Sequence, residues 1–89
     1  MRTIVFVEDR DLAIQLVHHY TELVNFVFFH EYKGVQYLND TIPDIENDIL
    51  LCEDIDREVI ILVNYIDGVD LSPIINYFKD KYNIESEVV

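Results

Sequence analysis

Two glycines, two prolines, one cysteine and no tryptophan stand in 89 residues, and six bases face eighteen acids. Each scarcity excludes something. Gly34 and Gly68 are isolated, so no glycine-rich loop can turn consecutive backbone N–H groups toward a phosphate. Cys52 has no second thiol to pair with, and its apolar neighbours raise rather than lower a thiol pKa. It reads as a buried thiol in a reducing cytoplasm, neither disulfide nor nucleophile. Ser72 and Ser86 are the only serines. The first precedes Pro73 as a helix-start signal, and the second lies among charges, so neither suggests nucleophilic catalysis.

The shortage of bases leaves a net charge of −12. Nucleic-acid backbones and anionic membranes recruit Lys and Arg, so direct contact with either is not expected. Long apolar runs are absent too. Ile4-Val5-Phe6-Val7 is stopped by Glu8, short of the roughly 7–15 apolar residues of a signal peptide. Val59 to Val63 is far below the roughly 20 that a membrane helix needs. The expectation is a soluble cytoplasmic protein. His18 and His19 are adjacent and diverge by about 100° on a helix, which makes them poor joint ligands. His30 lies in an aromatic run and reads as a satisfied strand histidine. No metal or cofactor is expected.

What the chain does contain is apolar: 51% hydrophobic and 12% aromatic residues, enough for one core and too many for an acidic disordered tail. Residues 1–89 therefore read as a single domain. Thr3 to Val7 predicts a first strand, with Asp9 or Asp11 capping the helix that follows. Leu12, Ala13, Leu16, Val17, Tyr20, Leu23 and Val24 recur at helical spacing. Asn25 to Tyr32 is rich in strand formers, and Lys33-Gly34 supplies a turn into Val35 to Leu38, which reads as a β-hairpin. The alternative there is a short helix from Gly34 to about Thr41 within a βαβ crossover. Asn39 to Asp48, with Pro43, reads as a loop.

Ile49 to Cys52 and Glu58 to Ile66 read as two strands of a second hairpin closed by residues 53–57. The uninterrupted Val59 to Val63 marks a strand covered on both faces. Ser72-Pro73 opens a second helix that stops near Asn83, and Ile84 to Val89 forms a last strand. This order predicts an α+β two-layer sandwich, a mainly antiparallel sheet with two helices on one face, related to split βαβ folds. A small three-layer α/β fold is the second choice.

The charge is concentrated. Residues 40–70 hold ten acids and one base, a balance of −9, while both flanks are nearly neutral. Asp44-x-Glu46-x-Asp48 and Asp54-x-Asp56-x-Glu58 place acids at alternate positions. In extended chain each triplet shares one face at about 6–7 Å spacing, comparable to successive phosphates. This resembles the composition of small inhibitors made by viruses, phages and other mobile elements.

The first functional expectation is thus a non-enzymatic acidic protein that mimics nucleic acid. It would inhibit or sequester a basic nucleic-acid-binding enzyme through Asp44, Glu46, Asp48, Glu53, Asp54, Asp56 and Glu58. Solvation of strand ends is the plainer account of the same acids. A calcium loop is not supported, because Ile49 and Val59 stand where its glycine belongs, and Ile55 and Tyr65 where its glutamate belongs.

The alternative is a small structural or assembly subunit that binds through its aromatic strand, the acids serving solubility. Phe28 and Phe29 are neighbours and point to opposite faces, so one of them lacks cover in a two-layer core. Phe26, Phe28 and Phe29 are accordingly candidate self-association residues, and a homodimer is expected. A third reading, a minimal enzyme or phospho-signalling domain, rests on Glu8, Asp9 and Asp54. Glu8-Asp9 resembles the acidic pocket of response-regulator receiver domains. No strand ends in the lysine such a domain requires, and the chain is about 30 residues short of one.

Overall fold

The computed structural model describes residues 2–53 and 58–89, arranged as β1 (Arg2–Val7), α1 (Arg10–Leu23), β2 (Phe26–Tyr32), a 3-10 turn (Val35–Tyr37), α2 (Leu38–Leu51), β3 (Val59–Tyr65), α3 (Ser72–Tyr82) and β4 (Glu85–Val88). The strands form one sheet in the order β2-β3-β1-β4, and every pairing is parallel. The expected antiparallel two-layer sandwich is therefore corrected to a three-layer, Rossmann-like α/β fold.

The layers follow from connectivity. β1 to β2 passes over β3, β2 to β3 steps one place back, and β3 to β4 passes over β1 in that same sense. Right-handed crossovers then require α1 on one face and α2 with α3 on the other. The core divides accordingly. Val5, Val7, Ile60 and Leu62 meet Ala13 and the α1 stripe, while Ile4, Phe6, Val59, Ile61 and Val63 meet Ile45, Ile49, Ile74 and Phe78. β1 and β3 are the central strands, and the continuous apolar run of β3 is buried on both faces as its composition predicts.

Segment 34–52 departs furthest from the sequence expectation. Neither hairpin forms, because residues 38–51 are one helix that takes in the expected loop and the expected strand at Ile49–Cys52 up to Leu51, with Cys52 as its cap. Thr41, Ile45, Ile49 and Cys52 supply its buried stripe. Their spacing of four, four and three is helical, and burying that stripe outweighs the backbone hydrogen bond that Pro43 deletes inside the helix. Gly34, at φ 131°, lets the chain leave β2 and enter the turn that precedes α2.

Helix ends follow local chemistry. The Asp9 carboxylate accepts from the Asp11 and Leu12 N–H groups at 2.9 and 3.3 Å. Ser72 is the first residue of α3 rather than its cap, and the Asp70 carboxylate accepts its N–H at 2.9 Å. Asn83 ends that helix in the left-handed conformation, φ 55°. Among the described residues no helix is long and apolar enough to cross a membrane.

Two substitutions test this layering in urea unfolding. Leu62→Ala, in the centre of β3, is expected to destabilise by about 2–4 kcal/mol. Pro43→Ala, at an exposed position of α2, is expected to stabilise by about 1–2 kcal/mol by restoring a helical hydrogen bond. A neutral or destabilising Pro43→Ala would mean that the proline shapes α2 rather than merely being tolerated there.

Candidate functional site

The acids expected to form a row do not form one. In α2, residues two apart lie about 200° around the axis, so Asp44, Glu46 and Asp48 point in different directions. Asp44 is exposed. Glu46 turns toward α3, where one oxygen, Oε2, accepts from the Tyr77 hydroxyl at 2.9 Å, from Lys81 Nζ at 2.9 Å and from the Tyr82 hydroxyl. Lys81 also donates to the Tyr77 hydroxyl at 3.0 Å and sits over the rings of Tyr77 and Tyr82, 5.4 and 5.5 Å from their centroids. Chiefly through Tyr82, then Lys81, this clasp holds the Glu46 carboxyl below its usual range despite partial burial. The reciprocal hydrogen bond raises the Tyr82 pKa.

Asp48 is bound on its other side by the imidazole of His30, which joins α2 to β2. That pair is half-buried, and it accounts for His30 as a satisfied strand histidine. Cys52 is buried next to it, its thiol pKa raised by burial and then by the Asp48 charge. Glu53 and Glu58 are exposed, and the Glu53 carbonyl accepts from Arg2 at 3.4 Å. Asp54 and Asp56 lie outside the described residues, so the second triplet has no structural account. Of the singled-out acids that are described, Glu46 and Asp48 tie α2 to α3 and to β2.

The carboxyl ends of β1 and β3, where open parallel sheets bind ligands, carry Glu8, Asp9 and Asn64. Asn64 Nδ2 donates to the Val7 and Glu8 carbonyls at 2.7 and 3.1 Å, which ties the two strand ends together. Asp9 is engaged as the α1 cap. Among the described residues no group of three or more His, Cys, Asp or Glu side chains is placed to hold a metal ion.

The aromatic strand β2 presents a different surface. It lies at the edge of the sheet, seven residues long, paired with β3 on one side and with no described strand on the other. Phe26 and Phe28 stack on the α2 face with ring centroids 6.5 Å apart, while Val27 and Phe29 pack on the α1 face. The third layer thus covers Phe28 and Phe29 alike, which removes the two-layer argument for an uncovered ring. Both remain half-exposed because no described strand covers the outer side of β2.

Comparison with protein-family models, curated proteins and solved structures returns no match.

Beside the β2 edge, Arg10, Ile14, Val17 and His18 of α1 and Phe29 enclose a shallow groove of about 260 Å³. Arg10 forms an ion pair with Glu31 at its end. A second hollow, lined by Leu23, Val24, Asn25 and Glu58, lies where the chain enters β2. Ile14 and Leu23, 43% and 66% exposed, give these hollows apolar walls on the solvent side. The opposite edge is unlike it. β4 has four residues, and Glu85 and Glu87 are exposed on it. Short length and charge are the usual protections of a strand edge, whereas β2 is seven residues long and its single acid, Glu31, is answered by Arg10.

The Glu46 clasp makes acid sensitivity specific. A carboxyl held below its ordinary value stabilises the fold above that value, about 4.3 for Glu, and loses the contribution as pH falls further. Glu46→Gln is therefore expected to cost about 1–2 kcal/mol at neutral pH, with the gap from wild type closing below about pH 4. Thermal unfolding of both proteins across that range measures it. A gap independent of pH would show that the carboxylate charge contributes nothing.

Proposed function

We propose that the protein is a small non-enzymatic binding or assembly subunit of the cytoplasm, and that it docks its partner on the open β2 edge. The observation that carries this reading is the contrast between the two sheet edges: β4 is short and acidic, β2 long and aromatic. An unpaired strand edge offers a row of N–H and C=O groups, and an added strand gains main-chain hydrogen bonds while its alternate side chains enter flanking hollows. Phe26 and Phe28 lie on one side of that row, and Phe29 with the α1 groove on the other. The acids then serve solubility and keep strand edges from pairing at random.

Mimicry of nucleic acid toward a basic enzyme draws less support, because two of its seven acids are engaged inside the fold. What remains for it is the exposed set Asp44, Glu53 and Glu58 together with Asp54 and Asp56. The two readings part on salt and on variants. Recovery of the physiological complex from the host is expected to persist at about 0.5 M salt, where surface attraction between opposite charges is screened. Phe29→Asp is expected to weaken the complex at least about tenfold, and the pair Asp44→Asn with Glu58→Gln to change it by less than about twofold. Loss of the complex in high salt, together with sensitivity to the acid pair, would replace edge docking with charge mimicry.

A further inference from the structure

Granting that β2 is the docking edge, we infer that its occupant is a second copy of this chain, whose β2 lies antiparallel to the first and makes one eight-stranded sheet. The strand sequence suits a two-fold axis through Phe29. Antiparallel pairing about that residue sets Phe29 opposite Phe29 of the second copy, Phe28 opposite His30, and Phe26 opposite Tyr32. Two of the four distinct pairs, Phe29 with Phe29 and Phe28 with His30, place partly exposed rings against each other, a favourable cross-strand combination, while Tyr32 is already buried in its own chain. The fourth sets Val27 opposite Glu31, whose charge is already answered by Arg10.

Charge selects the same occupant. Two chains of −12 repel, so they meet most readily where the local charge is balanced. Residues 23–39 contain one acid, Glu31, and one base, Lys33, and this neutral stretch includes all of β2. A basic partner would find little to attract it there. The axis stands perpendicular to the sheet, so each face continues into the same face of the second copy. An added strand lies about 4.8 Å from β2, which brings its Val27 and Phe29 toward the groove walled by Ile14 and Val17. The two α1 helices then approach each other from their Ile14 and His18 sides. Such an interface is isologous and closes as a dimer, leaving β4 at both ends of the joined sheet.

Sedimentation of the full chain over a wide concentration range, at about 20 mM and about 300 mM salt, tests this together with amide hydrogen exchange. The expected result is a dimer that tightens at least about tenfold in the higher salt, because screening removes repulsion between like-charged copies. Amides of residues 26–32 gain protection with concentration. Ile14→Asn leaves charge and fold unchanged and is expected to weaken the dimer by about fivefold or more. A chain that stays monomeric throughout overturns the second copy as occupant and leaves edge docking to the salt and variant test of the physiological complex. A dimer whose β2 amides exchange as in the monomer likewise overturns the second copy as occupant of β2 and leaves edge docking to that same test. A dimer that weakens with salt overturns the neutral-surface argument and the inference with it.

Discussion

Everything in this molecule depends on the parallel pairing of β1 with β3, six residues in register from Arg2 opposite Val59 to Val7 opposite Asn64. Parallel neighbours cannot be joined by a tight turn, so each connection must return over a face of the sheet. With helices making those returns, both faces are covered, and the two central strands can be apolar without interruption. The same rule pushes β2 and β4 outward. The sheet ends on one side in a strand full of aromatic residues and on the other in a short acidic one.

The parts legible in the sequence are those whose local pattern and final environment agree. Ile4 to Val7 and Val59 to Val63 are uniformly apolar because both faces are covered. Leu12 to Val24 repeats at helical spacing because one face of α1 meets the sheet, and Asp9 caps that helix from next door. Segment 34–52 was harder because local signals conflict with tertiary ones. Pro43 and the neighbouring acids suggest a loop, and Ile49-Leu50-Leu51 suggests a strand. Only the set Thr41, Ile45, Ile49 and Cys52, taken across both pieces, reveals one amphipathic helix. Once that helix replaces two strands, the antiparallel hairpins disappear and the three-layer fold follows.

The acids illustrate a different limit. Alternation at every second residue is a row only in extended chain, so the charge pattern of residues 44–48 changes meaning with the secondary structure beneath it. The partners of Glu46 lie 31 to 36 positions away on α3, beyond the reach of any local reading. A tyrosine pair and a lysine at Tyr77, Lys81 and Tyr82 repeat at helical spacing and signal a polar seam on that helix. What they face became evident only in the folded chain. The aromatic segment, by contrast, is legible as a strand from composition, while its place at the sheet edge follows only from the topology.

The strand order also governs the sequence of events during synthesis. β1 and β2 are not neighbours in the sheet, and each finds its first partner only in β3. No ladder can therefore form before residue 59 has emerged, although the aromatic residues of β2 were made some 30 positions earlier. Non-local pairing of this kind is slow, and exposed apolar strands on incomplete chains associate readily. Between β2 and β3 the ribosome adds eight acids, all within residues 40 to 58, against Lys33 and Arg57. The densest charge of the chain thus arrives in the interval when the partnerless strand most needs neighbouring chains kept at a distance.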